Sequence, residues 1–122
     1  MSALADLSRR VLVRAVPAGL GRRFDPVAAG DLEGVLELRV TDASRTRGTR
    51  FAVIVAGGRC VVQRRPAPEA RAGVSIPALD AVRLLTGFEE WPALLADGRL
   101  TLSGEPFLAL RFPTLFGFAR LR

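Results

Sequence analysis

Few side chains in this sequence could do chemistry, and most of those that could are carboxylates. The 122 residues include 12 Asp and Glu residues but no His and no Tyr, and the single cysteine is Cys60. Nucleophilic mechanisms of the Ser/His/Asp and Cys/His types are therefore excluded, as are metal sites built from imidazoles or clustered thiolates. Acid–base catalysis by carboxylates alone stays open. The sequence predicts no metal and no cofactor.

The adjacent pair Glu89 and Glu90 is the clearest candidate for carboxylate chemistry, with Glu105 as a third acidic group. A structural interpretation is simpler. The pair precedes Trp91-Pro92 and an apolar run, and acidic side chains favour the positive N-terminal end of a helix. Cys60 is likewise more typical of a core residue than of a nucleophile. We therefore expect a non-catalytic protein, with a carboxylate-dependent enzyme as an alternative.

All 18 basic residues are arginine, and the formal net charge is +6. Guanidinium groups suit phosphate, whether in nucleic acid, a lipid headgroup or a coenzyme. The arginines are scattered, however, with only short clusters such as Arg22-Arg23 and Arg64-Arg65. The aromatic residues are seven Phe and one Trp, with no interleaved basic motif of the nucleic-acid-binding kind. The sequence predicts no nucleic-acid partner.

Length and hydropathy indicate one domain, residues 1–122, with a sizeable core. Hydrophobic residues make up 49% of the chain, and the mean hydropathy is +0.25. No segment approaches the run of about 20 apolar residues that a membrane-spanning helix needs. Asp6, Arg9 and Arg10 interrupt the N-terminal region where a secretory signal would be apolar. We therefore expect a cytoplasmic protein.

The N-terminal region, residues 1–23, is predicted to be an amphipathic helix and a connector. Leu4, Leu7 and Val11 follow helical spacing within Ser2–Val16, and Pro17 is expected to end the helix. Two interpretations remain open. The helix packs on its own domain, or it makes transient contact with a membrane surface through its basic side.

The centre of the chain is predicted to be a sheet. The strongest local signal is a hairpin around Gly57-Gly58, with Ala56 pairing with Arg59 and Val53 with Val62. Strand-like alternation predicts five strands: Val35–Asp42, Thr49–Ala56, Arg59–Arg65, Ala70–Ile76 and Arg99–Ser103.

Helices are predicted on both sides of this region. The predicted segments are Asp25–Leu32, a helix from Pro77 to a stop at Gly87, Glu90–Asp97, and Phe107–Phe112, which Pro113 should end or kink. This order of elements predicts an α+β fold, with a five-stranded, mostly antiparallel sheet and the helices packed on one face.

Apolar side chains between the sheet and the helices form either a solid core or the lining of a ligand pocket, and periodicity does not distinguish the two. The candidate pocket residues are Val53, Val55, Val62, Leu84, Leu85, Phe88, Trp91, Leu94, Leu95, Phe107, Leu110 and Phe116. Arg64, on the apolar face of the hairpin, is a candidate for a ligand headgroup. The alternative for Arg64 is that it extends into solvent.

A resemblance to a known family bears on this choice. The matching segments are Phe51–Gly58 with Cys60–Val62, Ser75-Ile76, Leu79–Gly87, Ala96–Glu105 and Pro113–Phe116. In order and spacing they resemble the sterol carrier protein type 2 domain family over about residues 24–117. Glu105 stands where the family commonly has Asp.

The resemblance implies a tunnel between sheet and helices that holds a lipid, sterol, fatty acid or acyl-coenzyme A. It brings no catalytic motif. The sequence therefore predicts binding or transfer of a hydrophobic small molecule. The alternative is an accessory protein-interaction module of the same fold, with its cavity filled by its own side chains.

Overall fold

The computed structural model describes residues 2–42, 47–87 and 90–118, and their side chains from residue 13 onwards. The helices are α1 (Ser2–Arg23), α2 (Pro26–Ala29), α3 (Ala78–Thr86), α4 (Trp91–Ala96) and α5 (Pro106–Leu115). The strands are β1 (Gly34–Thr41), β2 (Gly48–Ala56), β3 (Arg59–Gln63), β4 (Ala72–Pro77) and β5 (Thr101–Gly104). The predicted α+β class is confirmed.

The five strands form one sheet in the order β3-β2-β1-β4-β5. Three of its four pairings are antiparallel, as predicted, and β1 pairs with β4 in parallel. The predicted hairpin is confirmed in its register, with Ala56 opposite Arg59. Gly57 and Gly58 have φ values of 58° and 72°, which a two-residue hairpin turn requires and which glycine adopts without a steric penalty.

One face of the sheet is apolar because side chains alternate along each strand. Leu38 lies between Phe51 and Val74 in the register, and all three are at most 4% exposed. Residues of α1, α3 and α5 meet this same face around Leu38 and Val74. The predicted packing of helices on one face is confirmed, and the core lies between the two layers.

The segment 64–71 crosses the opposite face of the sheet. The chain must pass β2 and β1 here, because β3 is an edge strand and β4 lies beyond β1. The amide of Ala67 donates to Oε2 of Glu37 at 2.8 Å, and Glu37 points away from the core side chains Leu36 and Leu38. Ala52 lies opposite Glu37 in the register, on the same face of the sheet, and is 0% exposed.

The prediction that Pro17 ends the first helix is wrong, since α1 continues through it to Arg23. An internal proline costs about 3 kcal/mol, because it removes a hydrogen bond and its ring clashes with the preceding turn. Val13, Val16 and Leu20 are each at most 4% exposed, and each such side chain contributes roughly 1.5–3 kcal/mol on burial. Burial of these three side chains therefore outweighs the cost of the internal proline.

Pro113 likewise does not end the last helix, which runs to Leu115. Phe112 and Leu115 are at most 2% exposed, so tertiary burial again holds a proline within a helix. The other differences are at element ends. The helix that begins after Asp25 stops at Ala29 rather than Leu32, and Pro77 precedes α3 instead of lying in its first turn.

Candidate functional site

A small apolar cavity of about 20 Å³ lies between the sheet and the helices. Its walls are Val16, Leu20, Leu38, Val74, Ile76, Ala81, Leu84, Leu85, Trp91, Leu100, Phe112 and Phe118. A space of this size holds about one water molecule, whereas pockets for small-molecule ligands usually measure about 300–1,000 Å³. A lipid would enter only if side chains now in this space moved.

Part of the predicted pocket set lies at this cavity or in the surrounding core. Leu84, Leu85 and Trp91 line the cavity. Val53, Val55, Leu94 and Phe116 are at most 1% exposed in the core around it, and Val62 is half-buried against that core.

The remaining predicted pocket residues are not brought to the cavity. Leu95, Phe107 and Leu110 lie at the surface, 38%, 82% and 53% exposed, so their expected inward orientation is wrong. They belong to short helices whose other faces are buried, and periodicity over so few residues does not fix which face that is. Phe88 lies outside the described residues. Arg64 is exposed beyond the end of β3, where the chain turns toward the outer face of the sheet.

Sequence reasoning missed nine residues that line the cavity: Val16, Leu20, Leu38, Val74, Ile76, Ala81, Leu100, Phe112 and Phe118. The spacing of Val13, Val16 and Leu20 is helical and continues across Pro17. That spacing was the available signal for a longer α1. Phe118 follows the last helix, where no periodic pattern identifies an inward side chain.

Aromatic rings fill the end of the space next to α5. The ring of Phe112 lies 5.5 Å from Trp91 and 4.9 Å from Phe116, measured between ring centres. Phe118 packs parallel to Trp91 at 6.3 Å. Pairs in this distance range stabilise the fold beyond the area they bury. We call Phe112, Phe116 and Phe118 the aromatic plug, because their rings pack together at this end of the cavity.

Arg23, the last residue of α1, holds the plug in place. Its guanidinium donates to the carbonyl oxygens of Phe116 at 2.9 Å, Gly117 at 3.2 Å and Leu85 at 3.3 Å. It also lies 4.7 Å from the ring centre of Phe118, a cation–π contact. One half-buried side chain thus joins α1, α3 and the plug.

A buried ion pair fixes the opposite side of the helical layer. Asp80, in the first turn of α3, is 6% exposed and accepts from Nη1 of Arg99 at 3.1 Å. Arg99 precedes β5 and also lies 3.5 Å from Asp97. The pair ties α3 to the chain entering β5, since losing either partner would leave a charge poorly compensated.

The carboxylates considered for catalysis lie apart from the cavity. Glu90 and Glu105 are exposed residues at the starts of α4 and α5, which is the structural interpretation made for Glu90. Glu89 lies outside the described residues. Among the residues that the structure describes, no three His, Cys, Asp or Glu side chains are grouped to hold a metal ion. None of the described helices combines the length and apolar character needed to cross a bilayer.

Cys60 faces the core from β3, and burial raises the pKa of its thiol from 9.0 to about 11. At pH 8 we expect about 100-fold less thiolate in the folded protein than in the unfolded chain, and a proportionally slower reaction with a chromogenic disulfide reagent. Reactivity should rise about tenfold per pH unit toward 11. The unfolded thiol ionises first, so the free energy of unfolding should fall as pH rises from 9 to 11.

The control for this measurement is the same protein in denaturant, which should react at the rate of a free thiol. Rapid reaction of the folded protein at pH 8, with an unchanged circular dichroism spectrum, would show that Cys60 is not shielded as described.

Several solved structures have the same fold. The sterol carrier protein 2 like 2 of Aedes aegypti has a crystal structure that matches at 19% identity and a TM-score of 0.67, covering 90% of this chain and 97% of that one. A solution structure of the palmitated protein matches at 18% identity, also with a TM-score of 0.67, covering 91% and 96%.

A sec-alkylsulfatase from Pseudomonas sp. contains the fold as a small part of a larger chain. The match has 16% identity and a TM-score of 0.63, and it covers 84% of this chain but only 15% of the sulfatase. Among curated protein sequences, none matches this chain significantly. The model of the SCP-2 sterol transfer family matches residues 25–117, which include the whole sheet, α3, α4 and α5. The chain therefore belongs to the SCP-2 sterol transfer family.

Proposed function

We propose that this protein binds or transfers a lipid or another hydrophobic small molecule, without catalysis, in the space between its sheet and its helices. The observation that carries the proposal is the small cavity with purely apolar side chains around it, closed at one end by the aromatic plug. Family membership and the palmitated Aedes relative support the same ligand class. The proposal includes a cytoplasmic location.

Ligand entry requires the plug to move outward. Phe118 is 9% exposed, follows the last helix, and touches the cavity with its ring. Its displacement costs about 1.5–3 kcal/mol of apolar burial, and each lost hydrogen bond from Arg23 costs about 1 kcal/mol more. The sheet side of the cavity stays in place, because backbone hydrogen bonds join its strands.

Apolar transfer favours binding from water. Each methylene group that moves from water into an apolar site contributes about 0.8 kcal/mol. Relative to a bilayer the transfer gain is close to zero, because lipid tails are as apolar as the site. The protein therefore competes with membranes for its ligand, and chain length alone gives it little selectivity.

A second candidate function is an accessory protein-interaction module whose cavity is permanently filled. The volume of about 20 Å³ favours it. The two functions differ in whether the plug moves.

Native mass spectrometry of the purified protein, followed by displacement of a fluorescent fatty acid with a panel of fatty acids, sterols and acyl-coenzyme A, separates them. The carrier function predicts co-purified lipid or saturable displacement. A protein that stays empty against the whole panel is the filled module.

The basic N-terminal helix is one proposed site of transient contact with a membrane surface. Its sequence has Arg9, Arg10 and Arg14 in the first four turns, and arginines favour anionic headgroups.

A further inference from the structure

Helix α5 exposes large apolar side chains beside Arg111 and Thr114. Its sequence, PFLALRFPTL, contains one charged residue, Arg111. Leu108, Ala109 and Phe112 are buried against the core, while Phe107 and Leu110 on the other side are 82% and 53% exposed. Residues three apart are neighbours on a helix surface, so Phe107 and Leu110 form one exposed apolar pair.

The neighbouring helix α2 adds to this surface. Arg111 joins the two helices by donating from Nη2 to the carbonyl oxygens of Ala28 at 3.0 Å and Ala29 at 3.2 Å. Val27, the next residue along α2, is 89% exposed, the highest value among the exposed large hydrophobic side chains. We define the α5 surface as Phe107, Leu110, Arg111 and Val27.

Charge distinguishes the possible partners of the α5 surface. Arg111 lies within it, and Arg71, with 63% of its side chain exposed, lies at the start of α5 beside Glu105. Two carboxylates lie nearby: Asp25 accepts from the amide of Val27 at 2.9 Å, and Glu105 lies 3.9 Å from Arg71 and offsets its charge. Arg111 donates to carbonyl oxygens and forms no ion pair among the residues that the structure describes, so its positive charge is not offset in this way. The chain carries a formal net charge of +6.

A second copy of the chain fits this surface poorly. A two-fold interface would place Arg111 near its own symmetry mate and bring two chains of +6 together. An anionic bilayer instead attracts the arginines, at about 1 kcal/mol for each one near the surface, and accepts apolar side chains at the level of its headgroups.

We propose that the α5 surface docks on anionic lipid bilayers, with Phe107 and Leu110 inserted at the interface. The docking site differs from the N-terminal helix considered above. In this orientation α5 lies against the bilayer, and its opposite side covers the apolar cavity. Docking itself does not depend on the ligand proposal, since Phe107 and Leu110 lie outside the cavity lining.

Flotation with phosphatidylcholine vesicles, with and without phosphatidylglycerol, tests the proposal. The wild-type protein should float with the anionic vesicles, and added salt should weaken this binding. The double variant F107S/L110S should bind about tenfold less tightly, because two interfacial apolar side chains are lost. V61S is the matched control: Val61 is 51% exposed on the opposite face of the sheet, and its replacement should change nothing.

Three outcomes would overturn the proposal. The wild-type protein floats with neither vesicle, the double variant floats as the wild type does, or only the replacement of Arg9, Arg10 and Arg14 abolishes flotation. Sedimentation velocity gives a fourth. If the wild-type protein is a dimer and F107S/L110S is a monomer, a second copy of the chain, and not a bilayer, covers the α5 surface. Binding of a fluorescent fatty acid without vesicles should be unchanged in the double variant, which separates docking from ligand binding.

Discussion

Replacement of Phe118 by alanine will raise the affinity of the protein for a fluorescent fatty acid by about tenfold or more. Phe118 touches the cavity and packs parallel to Trp91. Removing its ring creates space where the ligand enters and abolishes the cost of about 1.5–3 kcal/mol for displacing it. The measurement is a titration of the variant and the wild type with the same probe.

The F118A variant will also be less stable than the wild type without ligand. Truncation of a buried phenylalanine lowers the free energy of unfolding by roughly 3 kcal/mol, through lost burial and the cavity left behind. F51A is the matched control, because Phe51 is 1% exposed in the core but does not line the cavity. It should lose similar stability without gaining affinity. An unchanged affinity in a folded F118A protein would show that the ring does not occupy ligand space.

Enlargement of Ala81 to phenylalanine will have the opposite effect. Ala81 is 6% exposed and lines the cavity from α3, which Asp80 and Arg99 hold in place. A large ring added there fills the space between the sheet and α3, so probe binding should fall by about 100-fold. Overpacking of this kind typically costs about 1–3 kcal/mol of stability.

A78F is the control for this variant. Ala78 lies on the same helix and is 8% exposed, but it does not line the cavity. Both variants should lose comparable stability in urea unfolding, and only A81F should lose binding. Binding by A81F at wild-type affinity would mean that the ligand site lies elsewhere.

The sheet was largely predictable from the sequence because its determinants are local. Gly57 and Gly58 meet the backbone requirement of the turn, and the alternation on either side then fixes the register of β2 and β3. The parallel pairing of β1 with β4 was not predicted. It depends on the 64–71 crossing, which has no periodicity and in which the amide of Ala67 donates to Glu37 of β1.

The candidate site was predicted only in part. Leu84, Leu85 and Trp91 were identified as large apolar residues of predicted helices that pack on the sheet. Val16 and Leu20 were lost with the expected stop at Pro17, where burial outweighs a local signal. Arg23 was grouped with scattered surface arginines. Its three carbonyl partners come from two distant segments, which no local pattern reveals.

The inward helical face and the outward α5 surface have different roles in this account. Leu95, Phe107 and Leu110 were expected in the pocket because they are apolar, and the structure exposes them. Apolar character alone does not separate a side chain that lines a cavity from one that meets a partner. Exposure in the folded chain makes that distinction.

Quenching of Trp91 fluorescence by a dibrominated fatty acid tests the central claim most directly. Trp91 is the only tryptophan in the chain, is 4% exposed and lines the cavity. Bromine quenches over short distances, so a bound acyl chain between sheet and helices should quench Trp91 strongly and saturably, while acrylamide in water should not. The A81F variant should lose the effect. Saturable binding of the brominated chain, measured by equilibrium dialysis, without quenching of Trp91 would contradict a ligand site at this cavity.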